Sequence, residues 1–310
     1  MFLILIIHGN IKLPKSIMLR KKLESNSIVK VGGAFDAMSA KLVEISGFDA
    51  VWAGSFAISA THALPDASIL TMTEFFDAAS NMASTCGIPI IADCDTGYGG
   101  PSNVARLVKK YENAGVAAVS IEDKIFPKEN SLLENGKNEL LPEKEFVAKI
   151  LTATQAKQNK DFMIIARIEA LISGKGMKEA IQRASAYERA GADAILIHSK
   201  QKSPDEIFDF VDNWKGGIPI VVIPTTYDSV KISDLISHNI KMVIYANQTL
   251  IASHASMLKL LNEMYLAEKI SDVKQDMSKM EDIFRLQEMY EHKSREGKIE
   301  EELKKMGYIN

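Results

Sequence analysis

Eight short apolar runs recur between residues 28 and 265, each separated from the next by an amphipathic stretch. No other feature constrains the fold as much. The runs cover 29–36, 50–55, 88–95, 118–124, 163–170, 194–199, 218–225 and 242–247; they are rich in Val, Ile and Ala and bounded by Gly, Pro or polar residues. Such alternation predicts βα units around a parallel sheet. Eight strands match the (β/α)8 TIM-type barrel, an α/β fold for which roughly 250 residues is typical. The segments EISGFDAVWAGS (44–55), ENAGVAAVSIED (112–123) and ERAGADAILIHS (188–199) repeat one helix-end, glycine and strand pattern. Their glycines, Gly47, Gly115 and Gly191, read as left-handed residues that close a helix just before the next strand. An open doubly wound sheet shares the rhythm, but VGGAFD (31–36) lacks the GxGxxG turn that a dinucleotide fold places before its first helix.

Two stretches break the rhythm. Residues 125–142, IFPKENSLLENGKNELLP, separate the fourth strand from its helix. Ordinary βα connections run about 2 to 6 residues, so this one reads as a mobile lid or binding loop. Residues 268–310 are highly charged, and MEDIFRLQEMYEHK (280–293) carries apolar side chains at helical spacing. That predicts a helical tail packed outside the barrel or on a neighbouring subunit. The opening MFLILIIHGNIK has seven apolar residues, too few for a bilayer, which takes about 20, and its charges follow the run instead of preceding it as in a secretory signal. It reads as an edge segment or a by-product of start-codon choice. The domain plan is an N-terminal extension over 1–15, a catalytic barrel over 16–267 containing the lid, and the tail.

The formal charge of −3 offers no basic excess for nucleic acid, and 46% hydrophobic residues are too many for a disordered chain. Cys86 and Cys94 lack CxxC spacing and read as buried thiols in a reducing cytosol. A soluble, cytoplasmic enzyme with no nucleic-acid or membrane partner is expected.

Catalytic groups in such a barrel come from the C-terminal ends of the strands. Here those ends are polar: Asp36, Ser55, Asp93 with Asp95, Glu122 with Asp123, Arg167 with Glu169, His198, Thr225 and Asn247. Residues two apart on a strand face one side, so Asp93 and Asp95 both aim at the mouth, where Glu122 joins them from the next strand. Converging carboxylates repel unless a cation or protons intervene. Oxygen ligands without His or Cys select Mg²⁺, with Mn²⁺ as a substitute, rather than zinc. Any one acid could merely cap the following helix; the three together on neighbouring strands read as a metal site. Arg167 and His198 opposite, with Lys128 and Asn130 in the lid, describe a small dianionic substrate carrying phosphate or carboxylate. A lone histidine is more often a satisfied core residue, and only the strand-end place of His198, facing the acids, lifts it above that reading.

The runs ADCDTGYGG (92–100), SIEDKIFPKENSL (120–132), IARIEALISGKG (165–176) and AGADAILIHSK (190–200) resemble the phosphoenolpyruvate mutase and isocitrate lyase superfamily, on its mutase side. The likeness spans about residues 16–290. EDK followed by five residues and NS (122–131) is its most specific piece, shared by the mutases and by phosphonopyruvate hydrolase, whereas DTGYG also occurs in the carbon–carbon lyases.

The resemblance implies a Mg²⁺-dependent isomerase of phosphonate biosynthesis that interconverts phosphoenolpyruvate and phosphonopyruvate by intramolecular phosphoryl transfer. It implies Asp93 as direct metal ligand, with Asp95 and Glu122 acting through bound waters, and Arg167 and His198 on the phosphoryl group. Trp52 would pack beside the substrate, and backbone amides near Gly54 and Ser55 would hold its carboxylate. Asp66, in HALPDAS (62–68), falls where the family has an essential acid near the migrating phosphorus. Lys128, Asn130, Ser131 and Leu132 fall in its gating loop. One departure is visible: the family commonly has Ser then Gly after the Trp strand, while this chain has Ala53, Gly54, Ser55. Cys94 replaces a small residue and is expected to face away from the mouth. A homo-oligomer, dimer or tetramer, is also implied, with the helix near residues 249–265 swapped onto a partner's barrel. Phosphonopyruvate hydrolase would use nearly the same site, and Asn at position 130 beside Lys128 points to the mutase instead. A carbon–carbon lyase of the isocitrate lyase type would carry a Cys in a KKCGH-like lid, absent from KIFPKENSL (124–132). A non-catalytic metabolite-binding barrel would not need the acids, Arg167 and His198 intact.

Overall fold

A computed structural model describes residues 13–309. The expectation about the apolar opening segment lies outside the described residues. Helix α1 (Lys15–Leu23) is followed by β1 (Val29–Ala34), α2 (Ala37–Ile45), β2 (Ala50–Ala53), α3 (Ser55–Thr61) and α4 (Met72–Thr85). Then come β3 (Ile90–Asp93), α5 (Pro101–Asn113), β4 (Ala118–Glu122), α6 (Glu143–Ala156), β5 (Met163–Ile168) and α7 (Gly176–Arg189). The chain continues through β6 (Ala194–Ile197), α8 (Asp205–Asn213), β7 (Ile220–Val222), α9 (Ile232–Ser237), β8 (Met242–Tyr245) and α10 (Gln248–Leu266), then α11 (Met280–Leu286) and α12 (Met289–Lys305). The eight strands pair in parallel and in chain order, and β8 returns to β1, so the sheet closes into the expected barrel.

Strand alternation sorts side chains into two layers. Val31, Ile91, Ile165, Leu196, Val221 and Ile244 fill the barrel interior. Val51, Ile90, Val119, Ile195 and Val243 face outward and pack with helical residues such as Phe75, Leu107, Phe146, Tyr187 and Phe210. Each such side chain contributes roughly 1.5–3 kcal/mol by leaving water. Leu19 and Leu23 of α1 join the interior layer, while Arg20 reaches Asp193 at 2.6 Å and the carbonyls of Asp161 and Phe162, just before β6 and β5. Helix α1, which no sequence signal singled out, therefore plugs the N-terminal end of the barrel.

Local chemistry sets the element ends. Gly47, Gly115 and Gly191 have φ of 85°, 78° and 94°, as read from the repeats. Gly33 is required for a different reason: a Cβ there would fall 2.0 Å from the Ala246 carbonyl, where β1 and β8 meet. Asp36 caps α2, accepting from the Ser39 amide at 2.7 Å, so at this strand end the capping role holds. Both cysteines are buried and free. Cys94 lies in the outer layer, away from the mouth, and burial pushes its thiol up.

By contact density the chain divides into two compact units, one running through Ile251 and one from Ala252 onward. The second holds most of α10, a short 3₁₀ turn at Ile270–Asp272, α11 and α12. No helix among the described residues is long and apolar enough to cross a membrane.

Candidate active site

The C-terminal ends of β2, β3 and β5 to β8, with the lid, surround a small cavity of about 50 Å³, a few waters' worth of space. Eleven of the expected residues line it: Trp52, Gly54, Ser55, Asp66, Asp93, Lys128, Asn130, Ser131, Leu132, Arg167 and His198. Asp95 and Glu122 lie beneath, joined to it through Lys128 and Arg167. Phe56, Ile223, Thr225, Ala246 and Asn247 complete the wall; Thr225 and Asn247 were visible as polar strand ends, whereas Phe56, Ile223 and Ala246 carry no sequence signal of a site.

Asp93 ends β3 and accepts from the Ser55 hydroxyl at 2.9 Å, so the shifted Ser supplies a side-chain contact and not only an amide. Asp95, two residues on, holds a φ of 49°, and its carbonyl receives the Glu122 amide at 2.8 Å. The left-handed turn thereby fixes β3's acids against β4's. Lys128 enters from the lid, 5% exposed, with its ammonium 2.6 Å from Asp95, 3.0 Å from Asp66 and 3.2 Å from Ser55 Oγ. Asn130 donates to the other oxygen of Asp66 at 2.8 Å. Two lid residues thus clasp the same carboxylate. At the lid base, Ile125 N–H donates to Glu139 at 3.1 Å and Leu141 N–H to Asp123 at 2.8 Å, which draws the ends of the segment together. Arg183 braces this stem, donating to Asp123 and to the Leu141 carbonyl.

Burial pushes the Asp95 carboxyl up to about 7; Lys128 opposes this, while Asp93, Asp66 and Glu122 reinforce it. Glu122 is raised by burial too, against Lys128 and Arg167. Lys128 is driven well above its ordinary value because Asp95, Glu122 and Asp66 outweigh burial. Five buried acids (Asp66, Asp93, Asp95, Glu122, Glu169) face three buried basic groups (Lys124, Lys128, Arg167), so acids outnumber cations in the cluster. Asp95 Oδ2 and Glu122 Oε1 are buried without a hydrogen-bond partner. Hard oxygen donors, orphaned lone pairs and an excess of acids over basic groups fit a divalent cation such as Mg²⁺. Among the described residues no three acidic, His or Cys side chains form a direct coordination shell, so such an ion would depend on waters for part of its shell.

The opposite wall is built on Glu169, one residue past β5 and 0% exposed. Its Oε1 lies 2.5 Å from Arg167 Nε and 3.0 Å from His198 Nδ1, and its Oε2 accepts from Ser131 Oγ at 2.7 Å. Burial would raise this carboxyl, but Arg167 and His198 hold it well below the usual range. The Arg–x–Glu spacing was readable as two side chains on one strand face; that Glu169 gathers both cations and the lid was not.

The chain is similar in sequence and fold to proteins of known function. The family described as phosphoenolpyruvate phosphomutase matches residues 19–265. Phosphonopyruvate hydrolase of Variovorax sp. is 42% identical over 88% of this chain and 94% of its own. The crystal structure of phosphoenolpyruvate phosphomutase from Streptomyces platensis subsp. rosaceus superposes with a TM-score of 0.89 at 42% identity, covering 91% of this chain and 98% of that one. A phosphonopyruvate hydrolase complex with oxalate and Mg²⁺ superposes with a TM-score of 0.86 at 39% identity, covering 92% and 99%. Mutase and hydrolase are thus matched at nearly the same identity.

Proposed function

The chain belongs to the phosphoenolpyruvate phosphomutase family, and from that membership we propose that it interconverts phosphoenolpyruvate and phosphonopyruvate by moving a phosphoryl group between oxygen and carbon of one substrate. The observation that carries this reading is the clasp of Lys128 and Asn130 on Asp66, which seats the lid over a cavity of about 50 Å³. A mutase must break one bond to phosphorus and form another before water intervenes. A small site closed by donors meets that need.

Asp93, Asp95 and Glu122 would hold Mg²⁺, which when bound supplies positive charge to the carboxylate and enolate oxygens of the pyruvate part. Trp52 and the amides at Gly54 and Ser55 orient that part. Arg167 and His198 hold the PO₃ group while its bond to oxygen breaks and its bond to C3 forms, so the protein's work is positioning and charge stabilisation. Asp66, fixed by two lid donors, would steer the transfer or accept the group transiently. The second reading, hydrolysis of phosphonopyruvate to pyruvate and phosphate, draws on the comparably similar hydrolase. A ³¹P NMR time course with phosphonopyruvate and Mg²⁺ tests both: we expect phosphoenolpyruvate. Inorganic phosphate as the main product would replace the mutase reading by the hydrolase one, and an unchanged spectrum would overturn both.

A further inference from the structure

We propose that Glu169 is the positioning residue of the site: it holds Arg167 and His198 side by side toward the PO₃ group and, through Ser131, ties that arrangement to the seated lid. The inference rests on the phosphoryl-transfer reading above and assigns a role to a carboxylate that does not line the cavity.

The geometry offers two proton placements. His198 Nδ1 lies 3.0 Å from both Arg167 Nη2 and Glu169 Oε1. A guanidinium nitrogen only donates, and so does a protonated ring nitrogen, whereas a carboxylate oxygen only accepts. An unprotonated Nδ1 would accept from Arg167 but set its lone pair against the Glu169 carboxylate; in the arrangement we assign, Nδ1–H donates to Glu169, and the Arg167 contact is two donors brought close by a shared anion. Without that anion the Nδ1–H and the guanidinium N–H face each other with no acceptor between them, and Nδ1 becomes free to accept from Arg167, which turns the proton to Nε2. Fixing Nδ1–H also reserves Nε2 for the ligand. The other carboxylate oxygen accepts from Ser131 of the lid, whose hydroxyl in turn receives Lys124 Nζ at 3.0 Å. All of these groups are buried: Glu169 at 0%, Lys124 at 1%, His198 at 4%, Ser131 at 7% and Arg167 at 8% exposure. A lid that lifts takes Ser131 away from Glu169, so lid position and cation orientation share one carboxylate.

The test pairs a spectroscopic reading with a kinetic one. In ¹⁵N–¹H spectra of the intact protein, assigned with His198→Asn, wild type should show His198 protonated at Nδ1, and Glu169→Gln should shift its tautomer balance. An unchanged His198 signature in the variant overturns the proposal whether or not the protein turns over phosphonopyruvate, so this arm stands apart from the functional reading. In kinetics, Glu169→Gln should lower kcat/KM by about 100-fold, the scale of a small misplacement of reacting groups, while inhibition by oxalate, which has no PO₃ group, stays within about twofold of wild type. Equal losses for substrate and oxalate would make Glu169 a structural residue and overturn the proposal. Should Glu169→Gln fail to fold, Ser131→Ala still decides. It removes one charge-assisted hydrogen bond and should cost roughly tenfold in kcat/KM with oxalate inhibition retained; unchanged turnover in that variant overturns the link to the lid.

Discussion

A lysine ammonium buried among four carboxylates is costly both to place and to remove. Lys128 has ion pairs of 2.6 and 3.0 Å with Asp95 and Asp66, and breaking such a buried arrangement from one side typically costs about 3–5 kcal/mol because the acids keep their charge. Lys128→Met should therefore melt earlier than wild type in metal-free buffer, and Mg²⁺ should recover part of the loss; scanning calorimetry with and without Mg²⁺ checks this, and an unchanged melting temperature would contradict the excess of acids. Asp93→Ala should abolish turnover, as should EDTA, since the implied ion loses its main ligand; full activity in EDTA would contradict the metal assignment. Arg167→Lys keeps the charge but loses the planar fork that grips a phosphoryl group, so a large fall in kcat/KM is expected, and near-normal turnover would make Arg167 structural. Asp93, Asp95, Glu122, Arg167 and His198 were legible at this scale because strand ends are where a barrel puts its chemistry; Lys128 stood out as a lid residue, and Asp66 entered only through the family resemblance. Their pairings were not, since the period of two tells which face Glu169 shares with Arg167 but not that His198 and Ser131 converge on it.

The lid and α1 show the same contrast between elements. A βα connection of abnormal length announced residues 125–142, and the structure draws its ends together at Ile125–Glu139 and Asp123–Leu141 while its tip carries Lys128, Asn130 and Ser131 inward. Asn130→Ala removes one of the two donors on Asp66, so transfer to carbon should slow and water should compete. The product ratio of phosphoenolpyruvate to phosphate, measured by ³¹P NMR for wild type and variant, should fall along with the rate; an unchanged rate and ratio would remove Asn130 from the site. Helix α1 escaped notice because KSIMLRKKL mixes its charges among its apolar side chains. Only the pair Leu19 and Leu23, four apart, marks a face, and its partner is the open end of a barrel that exists only once all eight strands have closed.

For the whole molecule, strand count and helix-closing glycines made the barrel readable, because both are local signals repeated along the chain. Assembly is not local, and it rests on surfaces that stay apolar after folding. Helix α10, 19 residues and so about 28 Å long, has no buried residue. Along it Met257, Leu258, Leu261 and Tyr265 are 58%, 51%, 60% and 90% exposed. On α2, Met38, Leu42 and Ile45 are 50%, 50% and 66% exposed. Scattered exposed apolar side chains are ordinary, but rows at helical spacing on two separate helices are the mark of surfaces covered by another chain. We therefore expect a homo-oligomer with closed symmetry, in which α10 and α2 of different copies are covered together. Light scattering after size exclusion should give a dimer or tetramer for the intact chain and a smaller species for Leu258→Lys with Leu261→Lys. Leu42→Lys should have the same effect from the other side. Deleting residues 249–310 should leave the α2 row bare and yield aggregate or unfolded product; a soluble, folded monomer from that deletion would show that the barrel needs neither α10 nor a second copy to cover its surface.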